Sequence, residues 1–414
     1  MAADPLTRST ADSALKEFYL EGIRSILNST VFLLTQVEPN SEDIEGRRAV
    51  LSINTGRNYG IGARSDGGTL PDAGHQGYSE ERVPLKYNYG RIQITGPTIR
   101  SMGSDRGSFT RAITSETQGI TRDLRNDVNR QLYNDGTGTI TTLNAAASGN
   151  TATMATASAT NVAKRQIQVG MLIDIGTTAS PTATAAQRRV TSVNAAAGTF
   201  VFDGAAVAIN AGDRVFVSGS GGTGATQKEI TGLSAQVAAT GALWNIDPAN
   251  IPSWASYVDA NGGTKRSVTE AMFTKASQQV NINSGEEVNL WVTTDGVMRA
   301  DAALLTSLKR YNEPTTLAGG FRALDLSNIN QGNTGSNTVS MVFDKDCPDS
   351  TAFGLTTRRF QWYKMSDWEF MEEDGAVLNR VPNQDAYEAT LFIYAELATD
   401  GRNAHAKIAD LTEA

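Results

Sequence analysis

Few residues in this chain are equipped for chemistry. The obvious inventory is two histidines, His75 and His405, one cysteine, Cys347, and a run of carboxylates at Glu369, Glu372, Glu373 and Asp374. The histidines are far apart and neither sits in a spaced metal-ligand pattern, so each reads as a structural or solvent-facing residue. Cys347 has no partner for a disulfide within the chain. The carboxylates could act as an acid–base pair or hold a cation. No nucleophile held by a base accompanies them, and the ligand rhythm of a calcium loop is absent. An exposed turn between strands is the simpler account.

One motif has the form of a phosphate cradle. Gly219-Ser220-Gly221-Gly222-Thr223-Gly224 fits G-x-G-x-x-G and follows a strand pattern, with Asp247 near the offset of a ribose-binding acid. A dinucleotide site also needs a helix opening at the glycines, so that backbone N–H groups face the pyrophosphate. Ala225 to Gly232 carries no amphipathic run, and a linker is expected. The arginines at 111, 122, 125 and 130 could meet phosphates, but Asp123 and Asp127 interleave with them, which favours a solvated or subunit-facing surface. No catalytic, cofactor-binding or metal-binding residue is assigned, and the chain is expected not to be an enzyme.

The elements that must carry these residues are clearer. The 414-residue length implies two or three domains, and 19% charged residues argue against a disordered chain. A net charge of −8 argues against a protein built to coat nucleic acid. Neither a secretory signal nor a membrane-spanning run is visible. Leu15, Phe18, Tyr19, Ile23, Ile26 and Leu27 predict an amphipathic helix capped near Thr10, Asp12 or Ser13. Residues 47–96 predict a long β-hairpin whose returning arm alternates Val83, Leu85, Tyr87, Tyr89. Its parity then shifts to Ile92 and Ile94, with a bulge at Gly90. The glycine-rich stretch between the arms reads as a projecting tip.

A long helix is predicted from about 104 to 134, with Phe109, Ile113, Ile120, Leu124, Val128 and Leu132 on one stripe and Asp135-Gly136 as its stop. Only eight charged residues fall between Gly138 and Gly224. Short strand patterns recur there at 171–175, 189–193, 199–202 and 214–217, as in a small inserted β domain. Mixed α/β organisation then resumes. Ser267-Val268-Thr269-Glu270 predicts a capping box, 288–292 a buried strand, and 368–371 with 387–394 a strand pair.

In order, these parts resemble the major capsid protein of tailed double-stranded DNA bacteriophages, the Hong Kong 97-type shell fold. Ser115 through Gly138 is similar to that family's spine helix and its exit. The segments 344–348 and 385–390 are similar to its late segments. The resemblance implies an α+β fold with an N-terminal arm (1–46), an extended loop (47–97) and a peripheral domain (98–137 and 366–396). An inserted β domain (138–226) and an axial domain (227–365 and 397–414) complete it. It implies a virion capsid subunit, assembled in the host bacterial cytoplasm into the hexamers and pentamers of an icosahedral shell. A nanocompartment shell of the encapsulin kind shares the fold and is the alternative. Implied partners are further copies of the chain, a separate scaffolding protein, a portal and a decoration protein. Packaged DNA would be held by confinement, and no membrane or cofactor is implied. Lys86 is the only lysine between Lys16 and Lys164, and it lies on a hairpin arm, so the lysine–asparagine cross-link of some family members is not expected.

Overall fold

The computed structural model describes residues 31–41, 44–46, 48–97, 106–144, 147–155, 165–177, 180–181, 184–223, 226–305, 315–316, 322–326, 339–372 and 377–414. The amphipathic helix expected over 15–27 lies outside them, as do Glu373 and Asp374. Among the described residues no helix is long and apolar enough to cross a membrane.

One long strand, Ala386–Thr399, organises the first sheet. Its aromatic and aliphatic residues alternate between faces, as a strand with one packed face requires. Along one edge it pairs antiparallel with Lys86–Thr95 over ten residues, Ala386↔Thr95 to Ala395↔Lys86. Along the other edge it takes Phe360–Lys364, then Glu369–Phe370, then Asn379–Arg380. Glu38–Asn40 extends the sheet in parallel beyond Phe360–Lys364. The long helix Arg106–Tyr133, about 40 Å at 1.5 Å per residue, backs this sheet. Leu124, Val128 and Leu132 recur every fourth residue and pack with Ile92, Leu391 and Ile393.

A second, seven-stranded mixed sheet has Leu290–Thr293 near its middle, parallel to Val339–Phe343 and antiparallel to Ala352–Leu355. Its residues serve two cores in alternation. Leu290 and Val292 join the core under the long helix, while Trp291 joins Phe273, Val280 and Val297 of the helices Glu270–Ser284 and Asp295–Leu305. Such a strand, buried on both faces, reads as a continuous apolar run. Gly354 lies flush against the Trp291 indole, where a Cβ would approach within 2.8 Å.

Residues 139–217 form a separate all-antiparallel sheet in the order Thr139–Thr142, Arg214–Val217, Leu172–Gly176, Ala185–Asn194, Thr199–Phe202, Thr151–Thr153. It closes over its own core, which includes Ile173, Ile175, Phe200, Phe202 and Val215. The α+β class with an inserted all-β unit is therefore what the chain adopts.

Several details differ from expectation. The hairpin is shorter: Arg48–Gly56 pairs with Gly77–Pro84, and the chain then crosses at Leu85 into the helix-backed sheet. The change of face falls at Leu85–Lys86, both buried, because the chain changes sheets there. Gly90 carries no bulge, since pairing runs unbroken past it. It is glycine because Ile120 and Leu124 press on it, with a Cβ only 3.0 Å from Ile120 Cδ1. Tyr87 and Tyr89 consequently face out, not in. The capping box at Ser267 does not form, for the helix starts at Glu270 with Thr269 as N-cap and no side-chain cap bond. Finally, Phe360–Lys364 and the whole of Ala386–Thr399 share one sheet, so the divisions expected at 365/366 and 396/397 cut through it.

Candidate assembly surface

Among the described residues the hairpin is anchored at its root. Ala49, Val83 and Leu85 are buried there against Tyr363 and Ala398, with Ile44, Leu51 and Trp244 alongside. Further out, the positions of inward parity lose their cover, and Leu51, Ile53 and Thr55 are half-buried. Beyond Gly56 and Gly77 the chain forms a tip with no regular secondary structure. Asn58 ties the tip together: its Nδ2 donates to the Gly74 carbonyl at 3.2 Å and its Oδ1 accepts the Gly60 amide at 2.7 Å. The tip and its flanks expose Tyr59, Ile61, Leu70 and Tyr78, the last three at 64%, 80% and 69%. Single exposed apolar side chains are ordinary, whereas several on one projection mark a contact surface.

A second exposed apolar cluster lies on the outer face of the helix-backed sheet. Tyr87 and Tyr89 stand opposite Tyr394 and Phe392 in register. The Tyr87 and Tyr394 rings meet edge to face at 5.0 Å, and Tyr89 meets Tyr394 at 6.0 Å. Met365 and Met371, also exposed, lie beside this strand.

Buried polar groups fix the frame between these surfaces. Arg130, expected on a solvated or subunit-facing surface, is instead buried within the subunit at the end of the long helix. It donates to Glu229 Oε1 and Oε2 at 2.5 and 3.0 Å, and twice to Asp127 Oδ1 at 2.8 and 3.0 Å. Burial works against its charge, but the Asp127 and Glu229 carboxylates outweigh that and hold its pKa above the ordinary value. Gln131 bridges Asn88, Asp127 and the Ile230 amide. Lys86 Nζ donates to the Gln227 carbonyl at 2.7 Å. Burial lowers the Lys86 pKa, partly offset by Glu396. Burial likewise pushes Glu396 up to about 8, against the pull of Lys86 and the Thr231 amide. Together these groups bolt the returning segment 227–231 to the helix and the sheet. Lys86 and Asn88 share the parity of Ile92 and Ile94, so their inward direction was readable in sequence. Their partners, more than a hundred residues away for Lys86, were not.

Among the described residues, those first considered for chemistry do not converge. His75 is exposed on the tip beside Tyr59. His405 is buried, stacked on Phe360 at 4.3 Å, with its Nδ1 accepting the Thr356 amide and its Nε2 2.7 Å from Thr399 Oγ1. An accepting Nδ1 places the ring proton on Nε2, which donates to Thr399. Burial, with the Arg359 charge adding to it, lowers His405 to about 3. Gly219 opens a turn, φ 80°, whose amide donates to Asp174, and 221–223 have no regular secondary structure; Gly224 lies outside the described residues. Asp247 bonds the Ala249 amide in its own turn. Cys347 is buried. Glu369 lies in a short strand and Glu372 just beyond it. Among the described residues no three His, Cys, Asp or Glu side chains group as a metal site would. A cavity of about 590 Å³ between the long helix and the insert is lined by charges of both signs, including Asp123, Arg165 and Lys345.

No protein-family model matches the sequence, and no curated protein matches it. Solved structures do. The chain is similar to the protein of the Cyanophage A-1(L) capsid asymmetric unit, at 12% identity and a TM-score of 0.56, over 92% of this chain and 93% of that one. Weaker similarities are to the capsid of Myoviridae Phage XM1 (8% identity, TM-score 0.46, 92% and 91% covered) and to the holo-SrpI encapsulin complex from Synechococcus elongatus PCC 7942 (9%, 0.43, 92% and 88%). Of these three, the first alone is close enough to carry the fold, and it does so over nearly the whole length of both chains. The chain therefore has the Hong Kong 97-type fold of tailed-phage capsid shells, with an all-β unit inserted after the long helix.

Proposed function

We propose that the chain is a major capsid subunit that assembles into hexamers and pentamers of an icosahedral head around double-stranded DNA. The observation that carries this reading is the hairpin, whose Tyr59, Ile61, Leu70 and Tyr78 are exposed on a projection that is seated at its root among the described residues. Such a projection is useful only against neighbouring copies. Head-to-tail contacts of that kind close into rings and shells, and many weak contacts acting together outlast any single one. The net charge of −8 suits a wall that must not bind its DNA tightly. In this reading 1–46 is the arm and 47–97 the extended loop, with 86–95 counted in the peripheral sheet. Residues 138–226 are the accessory β domain, and the axial domain is 227–365 with 397–414, less 360–364 and 397–399, which share the helix-backed sheet with 386–396. The role is structural and not enzymatic, with assembly in the host cytoplasm aided by a separate scaffolding protein and completed by a portal.

Electron microscopy of the purified chain, alone or expressed with a scaffold, tests this. Closed particles are expected, and removal of 57–76, which would join the facing Gly56 and Gly77, should abolish them while leaving a folded subunit. A chain that stays monomeric under every assembly condition refutes the reading. Particles that load a protein cargo and no nucleic acid would favour the nanocompartment shell.

A further inference from the structure

The small root that anchors the hairpin contains an acid where acids are costly. Glu81, opposite Leu51 in the pair Arg48–Gly56 and Gly77–Pro84, is fully buried, on the same face as Val83 and Leu85. Among the described residues neither of its carboxylate oxygens has a hydrogen-bond partner. An ionised carboxylate in such a place is strongly disfavoured. The charged group acting on it is Asp400, just past Ala386–Thr399. Asp400 accepts from Arg359 Nη1 at 3.2 Å through one oxygen, while its other oxygen is buried without a partner. The remaining charges of the surrounding elements are placed otherwise. Glu80 and Arg82 pair with each other on the exposed face. Arg48 stands opposite Pro84, and Lys364 of the Phe360–Lys364 strand bonds Asp367.

A second feature meets the same root. Trp244 and Asn245 have φ of 45° and 77°, both left-handed, in a turn where Leu243 and Ile246 exchange backbone bonds of 2.9 Å. That region is unfavourable for a residue as bulky as tryptophan. The turn persists because Trp244 packs on the root and its carbonyl accepts the Arg82 amide at 3.1 Å. Strain held only by surrounding packing is a mark of an element with two positions.

We propose that the hairpin root is a proton-operated latch: with Glu81 neutral the root stays seated under Trp244, and ionisation of Glu81 unseats it and frees the hairpin to swing. Burial, with the Asp400 charge adding to it, pushes the seated Glu81 carboxyl up to about 9. Released into water it would titrate near ~4.3. Between those limits the seated form holds a proton that the released form lacks. Rising pH therefore favours release, about tenfold per pH unit, and the dependence ends below and above the window. The latch works within one subunit and does not depend on the shell reading.

Hydrogen exchange with mass spectrometry on the full, unassembled chain tests it, comparing the native protein with Glu81→Gln at matched values between about pH 5.5 and 8.5. Matched pH cancels the intrinsic exchange chemistry. The native-to-variant ratio of exchange rates at amides of Gly77–Pro84 should climb about tenfold per pH unit. Amides of Ala386–Thr399 should show no such climb. Glu81→Met, an apolar side chain of similar length, gives the same comparison if glutamine is not tolerated at this site. A ratio that does not change with pH in either variant overturns the latch, whether or not particles form.

Discussion

Replacing Arg130 with methionine should be among the costliest single changes in the chain. Arg130 is 4% exposed and its strongest partner, Glu229, is 2% exposed. Removing the guanidinium strands a buried carboxylate, which typically costs about 3–5 kcal/mol. Glu229 can escape by taking up a proton. At pH 7 that costs a carboxyl of ordinary pKa ~4.3 about 4 kcal/mol, so both routes give a similar penalty. Asp127, 30% exposed, can turn to water and adds little. The companion variant removes both charges, Arg130→Met with Glu229→Leu. It should recover to within about 1 kcal/mol of the native protein or exceed it, because the desolvation of both ions disappears with their attraction. Urea unfolding of the dissociated subunit, followed by tryptophan fluorescence, measures each difference at constant m. The single variant should also regain stability on acidification. Its unpaired Glu229 has a folded pKa above the unfolded one, so its penalty grows as pH rises past about 4.3 and is absent below it. A single variant costing under about 1 kcal/mol would show that the pair behaves as an exposed one. A double variant as damaged as the single would assign the loss to packing rather than charge.

Four further outcomes follow from particular contacts. Arg402 is buried and donates to the carbonyls of Ala235, Gln236, Thr240 and Gly241. Arg402→Met should cost about 3 kcal/mol or more in the same unfolding assay, since each bond to a charged donor contributes about 1.5–3 kcal/mol and four acceptors are left bare. Gly232 lies against the carbonyl oxygens of Gln131, Leu132 and Asn134 at the end of the long helix, so Gly232→Ala should destabilise by about 1–3 kcal/mol or more. Gly119→Ala in the same helix meets nothing within 4 Å and should stabilise by about 1 kcal/mol. His405 has a folded pKa of about 3, below its unfolded value, so the stability it allows is present above about pH 6.5 and is lost as pH falls toward 3. His405→Phe should flatten the thermal-unfolding midpoint across that acid range; an unchanged acid limb would show that His405 is not the titrating group.

The sequence was informative where local period and burial coincide. Leu124, Val128 and Leu132 keep a four-residue rhythm that only a helix with one buried stripe satisfies, and that helix is present. Short alternating runs between turn residues placed four of the insert's strands to within a few residues, while the short strands at 139–142, 147–149, 151–153 and 207–209 left no such trace. Poverty in histidine and cysteine was legible by counting. Parity along 83–94 was also visible, but its cause was not. Two inward residues in succession, Leu85 and Lys86, mark a chain leaving one sheet for another, and a bulge leaves a similar trace in one dimension.

What sequence alone determined, then, is the leading elements and their order, because helix stripe, strand alternation and turn chemistry are local properties. What only the tertiary structure decided is which distant partners complete them. Arg130 finds Glu229, Lys86 approaches Glu396, and Glu81 finds no partner beside Asp400. A charged side chain has the same local pattern whether it ends in water, in an ion pair or alone in a core. Its fate depends on the solvent excluded by residues a hundred or more positions away, and that exclusion exists only once the sheets have closed.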